Sequence, residues 1–131
     1  KFNVRQIILF DKAESDLYDL QQEILAGNSQ ANFVAIVGDV TNKTKLRKIF
    51  AQYSPTIVFN AAAYKHVPLM EEFPSEAVRV NVGGNKIMAD LSIEFGVEKF
   101  VFQQTLWVQQ NASARFISRP LLSQVITQPS L

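Results

Sequence analysis

Four short apolar runs, separated by segments of helical periodicity, constrain the fold of this chain more than any other feature. The runs lie near residues 4–10, 33–37, 56–59 and 100–103. Their branched and aromatic composition suits strands that are buried on both faces of a sheet. Strands that alternate with helices predict parallel βαβ units with right-handed crossovers. We therefore predict an α/β fold with a parallel sheet and helices on both faces.

The intervening segments carry recognisable helix boundaries. From Ala13 to Ala26 the apolar residues fall on one helical face, and Gly27 follows as a stop. Thr41 or Asn42 can cap the next helix. A long helix is predicted from about Ser75 to Phe95, with Pro74 at its entrance and Gly96 after its end. Between the third strand and this helix we predict a loop over residues 60–68.

Bulk properties exclude several classes of function. A length of 131 residues suits one domain, and 13 Lys and Arg against 12 Asp and Glu give no basic surface for nucleic acid. The chain has no cysteine, so neither disulfides nor thiolate chemistry is available. No apolar run approaches the roughly 20 residues that span a bilayer. We expect a cytoplasmic location, no nucleic-acid partner and no metal site.

A distinctive segment follows the third strand. Residues 60–71 read NAAAYKHVPLME, which resembles a segment of the polysaccharide-biosynthesis nucleotide-sugar 4,6-dehydratases, a branch of the extended short-chain dehydrogenases. Three further segments resemble that family in order and spacing: Ile8–Asp11, Gly38–Val40 and Asn81–Gly84. The resemblance covers about residues 1–105, and the tail does not match.

The resemblance implies a Rossmann-like dinucleotide-binding domain. It also implies NAD or NADP as cofactor, with NAD slightly preferred, and a UDP-N-acetylglucosamine-like substrate for polysaccharide or glycan synthesis. An NDP-sugar epimerase on the same scaffold and a non-catalytic nucleotide-binding or assembly domain stay open, as do a homo-oligomer and a tether of the parent enzyme to the inner face of the membrane. Lys12, next to Asp11, could tolerate the 2′-phosphate of NADP.

Two parts of the family pattern are missing from residues 1–131. The first strand and the Gly-rich loop should lie about 20 residues before the acidic residue at the end of the second strand, but Asp11 is only 11 residues from the start. We therefore expect residues 1–103 to form an incomplete dinucleotide-binding domain, and residues 104–131 to be a divergent tail. Because the first strand of such a sheet lies at its centre, we predict that another segment fills that place: upstream residues, the tail or a partner chain.

The resemblance assigns cofactor contacts to the strand ends. Asp11 would accept hydrogen bonds from the ribose hydroxyls, or it could simply cap the following helix. Asp39, followed by Val40, would meet the adenine amino group, or it could bond its own turn. Small side chains next to the cofactor, and one asparagine inside the long helix, complete this set: Asn60, Ala61, Ala62, Ala63 and Asn81. A solvent-facing Asn81 is the alternative for the last of these.

The resemblance assigns substrate contacts to the loop over residues 60–68 and to the segment after the fourth strand. Lys65 and His66 would meet the sugar nucleotide, although a loop histidine bonded to backbone is the simpler interpretation of His66. Thr105 would contact the sugar 4-hydroxyl. The Asp-Lys pair that follows this threonine in the family is absent here, where Leu106 and Trp107 stand. We therefore expect weak dinucleotide binding and no turnover by this chain. Glu71 and Glu72 are predicted to lie near a helix start.

Overall fold

The computed structural model describes residues 4–64, 66–102 and 124–129. Five strands are present in these residues: β1 (Val4–Asp11), β2 (Phe33–Val37), β3 (Ile57–Asn60), β4 (Lys99–Phe102) and β5 (Gln124–Pro129). The helices are α1 (Glu14–Gly27), α2 (Lys43–Tyr53), α3 (Val67–Glu72), α4 (Pro74–Ala77), a π-helix (Val78–Gly84) and α5 (Asn85–Glu94).

The strands form one sheet in the order β2-β1-β5-β3-β4. The pairs β1–β2 and β3–β4 are parallel, whereas β5 runs antiparallel to both of its neighbours. Ile126, near the middle of β5, pairs with Ile8 on one side and Val58 on the other. The predicted α/β architecture is confirmed, and the segment that fills the central place comes from the tail.

The main core lies between the sheet and the helices α2 and α5. Its fully buried side chains include Ile8 and Val58 from the sheet, Phe50 from α2 and Met88 from α5. Asn42 caps α2, where its side chain accepts a hydrogen bond from the backbone N–H of Lys45 at 3.0 Å. The cap and the apolar stripe together orient α2 across the sheet.

The long helix predicted over residues 75–95 is present as a continuous run from Pro74 to Glu94. Its middle third is a π-helix, which the sequence did not predict. The helix ends before Gly96, whose φ of +67° falls in the region that glycine adopts without strain.

The predicted loop over residues 60–68 is shorter than expected, because α3 begins at Val67. Glu71 and Glu72, which the sequence predicts near a helix start, are the last two residues of α3 and lie just ahead of the long helix that begins at Pro74. Across the described residues, no helix combines the length and the apolar character needed to cross a membrane.

Candidate functional site

The carboxyl ends of β1, β2 and β3 border an open pocket of about 190 Å³. That volume is below the roughly 300–1,000 Å³ of pockets that bury a drug-sized ligand, so it suits part of a dinucleotide. Ligands of open α/β sheets bind at this edge, next to the place where the strand order reverses. The pocket is lined by Phe10, Asp11, Lys12, Gly38, Asp39, Val40, Ala61, Ala62, Ala63, Tyr64 and Val80.

Two carboxylates stand at neighbouring strand ends. The Oδ1 atom of Asp11 accepts a hydrogen bond from the backbone N–H of Ala13 at 2.9 Å. The Oδ1 atom of Asp39 accepts from the backbone N–H of Thr41 at 2.8 Å and from its hydroxyl at 2.7 Å. Asp39 therefore makes the local turn contact that the sequence offered as its alternative, whereas Asp11 contacts the backbone of Ala13, the residue that holds the cap position of α1. Both carboxylates also line the pocket.

Arg79, from the π-helix, lies beside Asp39 at the rim. Its Nη2 atom is 3.7 Å from Asp39 Oδ2, and its Nη1 atom donates to the hydroxyl oxygen of Thr41 at 2.5 Å. Partial burial tends to raise the pKa of Asp39, but the hydrogen bonds from Thr41 and the charges of Arg79 and Lys12 outweigh it and lower the pKa from its ordinary value. Asp39 is thus ionised at neutral pH.

Three asparagine side chains join the alanine loop to the long helix. Asn60, fully buried at the end of β3, donates to Asn85 Oδ1 at 2.5 Å and accepts from the backbone N–H of Ala62 at 3.1 Å. Asn85 donates in turn to the backbone carbonyl of Asn81. Asn81 accepts from the backbone N–H of Tyr64 at 2.8 Å and donates to its carbonyl at 3.1 Å. The network holds the pocket wall over residues 61–64.

Two glycines allow close packing around the same wall. A Cβ atom on Gly84 would lie 2.6 Å from Val40 Cγ1, and one on Gly38 would lie 2.6 Å from the Phe10 ring. The π-helix can therefore approach the turn after β2 closely enough to bring Arg79 and Val80 to the pocket.

The ammonium of Lys12 spans the pocket mouth. It donates a hydrogen bond to the Tyr64 hydroxyl and lies 4.2 Å from the centre of that ring. The contact joins the end of β1 to the loop after β3. Lys12 therefore supplies one positive charge at the mouth, where a phosphate could compete with Tyr64 for it.

A protein family described as polysaccharide biosynthesis protein matches residues 1–110. The chain belongs to this family. It is 41% identical over 107 residues to the capsular polysaccharide biosynthesis protein CapD of Staphylococcus aureus, a match that covers 80% of this chain and 18% of CapD.

Two further proteins are similar to this chain. The UDP-N-acetylglucosamine 4,6-dehydratase (inverting) of Campylobacter jejuni is 30% identical over 104 residues, which is 79% of this chain and 29% of that enzyme. The solved structure of Pen from Bacillus thuringiensis superposes with a TM-score of 0.64 at 30% identity, over 72% of this chain and 29% of Pen. The chain thus spans less than a third of the length of these relatives.

The structure brings most of the predicted cofactor residues of this family member to one place. Asp11, Asp39, Val40 and the three alanines line the pocket. Asn60 and Asn81 instead stand behind it and support its wall. The alternative of a solvent-facing Asn81 is wrong, because its amide makes two hydrogen bonds to the Tyr64 backbone.

Of the predicted substrate residues, His66 is the one that falls within the described part of the chain. His66 is exposed at the start of α3, makes no side-chain capping bond, and accepts a hydrogen bond from Met70 through its backbone carbonyl. Lys65 and Thr105 lie outside the described residues, as do Leu106 and Trp107. No cluster of residues suited to a metal ion occurs in the described ranges.

Tyr64, Arg79 and Asn85 are among the site residues that sequence reasoning did not assign. Signals in the sequence could have revealed Arg79 and Asn85. Asn85 follows Asn81 by four residues, a spacing that places both on one face of a helix. Arg79 stands two residues before Asn81 on a helix whose buried face reaches the pocket. Its partner Thr41 is 38 residues away, however, so the contact itself had no local signal.

Proposed function

We propose that this chain is the adenosine-binding part of an NAD(P)-dependent nucleotide-sugar 4,6-dehydratase that acts on a UDP-N-acetylglucosamine-like substrate in polysaccharide or glycan synthesis, in the cytoplasm. The observation that carries the proposal is the pocket at the carboxyl ends of β1, β2 and β3, with a carboxylate at two strand ends and alanines at the third. Family membership and the relatives' printed activities support the reaction class.

In this proposal the described residues bind and orient the adenosine. Asp39 accepts a hydrogen bond from the adenine amino group, and Asp11 accepts from the ribose hydroxyls. The alanine wall lets the backbone approach the cofactor closely. When bound in the whole enzyme, the nicotinamide supplies the hydride acceptor. Lys65 and His66 would stand on the substrate side, and Thr105 would contact the sugar hydroxyl.

The direction of β5 bears on how tightly a dinucleotide binds. In a parallel sheet the central strand ends at the ligand edge and leads into a helix whose N-terminal N–H groups hold the pyrophosphate. Here β5 begins at that edge, since Gln124 pairs with Asn60, and it ends at the opposite one. The described residues therefore offer adenosine contacts without a pyrophosphate cradle. This supports the proposal that the chain binds NAD or NADP weakly and is inactive alone.

Ligand titration followed by NMR tests the proposal. We expect AMP, NAD and NADP to shift the amide resonances of Asp39, Val40 and Ala61–Ala63, with dissociation constants of about 1 mM or weaker, which is about −4 kcal/mol. Replacing Asp39 by Ala should abolish the shifts, whereas Asp19→Ala, on the exposed side of α1, should not. A micromolar dissociation constant for NAD would contradict weak binding, and shifts spread evenly over the surface would contradict the site.

A second measurement separates the candidate activities. Incubation with UDP-N-acetylglucosamine and NAD should give no 4-keto-6-deoxy product, because the chain has no Asp-Lys pair after Thr105 and a positioned acid or base is worth about 10²–10⁴ in rate. The 4-keto-6-deoxy product would show that the chain itself is a dehydratase. A 4-epimerised sugar would instead identify an epimerase. We expect the wild-type chain to show the NMR shifts on nucleotide binding and to form neither product.

A further inference from the structure

Arg79 sits at the centre of a chain of polar contacts that ends at Asp39. Its Nε and Nη2 atoms donate to the carboxylate of Glu76 at distances between 2.8 and 3.2 Å. Its Nη1 atom donates to Thr41 Oγ1, and the Thr41 hydroxyl donates to Asp39 Oδ1 at 2.7 Å. The contacts therefore run from Glu76 through Arg79 and Thr41 to Asp39.

The hydroxyl of Thr41 has only one hydrogen, and the contact with Arg79 restricts the direction of that O–H bond. Because Thr41 Oγ1 accepts from Arg79, its own hydrogen is directed away from the guanidinium and toward Asp39 Oδ1. Asp39 Oδ1 also accepts from the Thr41 backbone. Two donors thus fix this oxygen, and they orient the second oxygen, Oδ2, on the side of the carboxyl where Arg79 lies.

An ionised carboxylate can only accept hydrogen bonds. The hydrogen bonds from Thr41 and the positive charges of Arg79 and Lys12 favour that form of Asp39, while Glu76 also stays ionised because its hydrogen bonds from Arg79 lower its pKa. At position 6 of the purine, which faces Asp39 in the proposed function, an amino group is therefore favoured over an oxo group, since two facing acceptors repel each other.

We propose that Arg79 is a positioning residue that holds Asp39 as an oriented acceptor and thereby selects a 6-aminopurine over a 6-oxopurine in the pocket. The inference rests on the proposed function, because it assigns the base specificity of the same adenosine site. Arg79 acts through Thr41 and its own charge, with Glu76 holding the guanidinium in place. It lies on the π-helix, so the base selection depends on the close approach of that helix to the turn after β2.

Titration of the full chain with AMP and with IMP tests the selectivity. We expect the wild type to prefer AMP, and Arg79→Gln to reduce the ratio of the two affinities about 3- to 10-fold, the scale of one ordinary hydrogen bond. Arg79→Lys keeps the positive charge but loses the forked geometry of the guanidinium. Its AMP-to-IMP affinity ratio should lie between those of the wild type and Arg79→Gln. The matched control is Arg47→Gln, which breaks another surface ion pair, with Glu94, away from the pocket. An unchanged AMP-to-IMP ratio in Arg79→Gln would overturn the proposal.

The carboxyl resonance of Asp39, followed against pH without any ligand, gives an independent result. Removing the guanidinium should raise the pKa of Asp39, while Arg47→Gln should leave it unchanged. If the wild type binds neither nucleotide, the proposed function and the selectivity both fail, and the titration still decides whether Arg79 holds Asp39. An Asp39 pKa that does not move in Arg79→Gln shows that Arg79 plays no such part. Arg79 is half-exposed, so we expect the variants to fold, which the amide spectrum verifies.

Discussion

At the scale of single residues, three amide side chains support the wall of the candidate site. Each of the three side chains, Asn60, Asn81 and Asn85, donates one hydrogen bond through its amide nitrogen and accepts one through its amide oxygen. Together these bonds join β3 to the long helix. A buried amide is costly unless its donors and acceptors are paired. An asparagine is also a poor helix former, so Asn81 and Asn85 weaken the helix locally and stabilise the pocket wall instead.

Replacement of Asn81 by Ala should therefore lower the free energy of unfolding of the chain and increase the local opening of the backbone at Tyr64. The change leaves the backbone N–H and carbonyl of Tyr64 without their side-chain partner, which costs about 1–3 kcal/mol. Asn81→Asp keeps the acceptor for the Tyr64 N–H and should cost less. Urea unfolding measures the free energy, and hydrogen exchange of the Tyr64 amide reports the local contact. Equal exchange rates in wild type and Asn81→Ala would contradict this account.

At the scale of elements, the π-helix brings the long helix against the turn after β2. π-Helices are rare and occur often at functional sites. The segment Val78–Gly84 carries Arg79 to the rim and Val80 into the pocket wall, and its last residue packs on Val40. The element therefore links the helix to the strand end that supplies Asp39.

Two adjacent glycines in this element allow a matched comparison. A methyl group on Gly84 would meet Val40 Cγ1 at 2.6 Å, whereas a methyl group on Gly83 would meet nothing within 4 Å. We expect Gly84→Ala to destabilise the chain by about 1–3 kcal/mol, the usual cost of overpacking. Gly83→Ala should be neutral or stabilising by up to about 1 kcal/mol, since alanine is the better helix former. Thermal unfolding measures both. A similar melting temperature for the two variants would show that Val40 yields to the added methyl.

At the scale of the whole molecule, β5 connects two halves that otherwise share no strand pairing among the described residues. The sheet consists of the parallel pairs β2–β1 and β3–β4, and β5 pairs with both inner strands. It is therefore the last described strand in sequence and the central one in space. The helices α2 and α5 add contacts across the divide on one face.

Removal of residues 124–131 should abolish cooperative unfolding. Without β5, the backbone groups of Ile8 and Val58 lose their partner strand, and unpaired buried backbone groups each cost about 1–3 kcal/mol against a total stability of only about 5–15 kcal/mol. Removal of residues 130–131 alone is the matched control, because it leaves β5 intact. Circular dichroism during heating distinguishes the two truncated chains. A sharp transition at the wild-type temperature in the longer truncation would contradict a structural role for β5.

Much of the fold was predictable from local patterns in the sequence. The four parallel strands, the cap at Asn42 and the long helix ending before Gly96 follow from apolar periodicity and from the conformations that particular residues adopt. The candidate pocket was predictable in part, because the ends of parallel strands meet at one edge of the sheet. Asp11 ends the first of those strands, Asp39 follows the second, and Ala61–Ala63 follow the third.

By itself, the sequence determined the four parallel strands, the helices α1 and α2 and the long helix, and it placed Asp11, Asp39 and Ala61–Ala63 at the ligand edge. These features depend on interactions between residues that are close in the sequence, which apolar periodicity and the preferences of turn residues reveal. Only the tertiary structure decided that Gln124–Pro129 enters the sheet antiparallel, that Asn81 binds the backbone of Tyr64, and that Arg79 reaches Thr41. These contacts join residues far apart in the chain. Their formation depends on the free energy of the whole packed arrangement, which no short segment encodes.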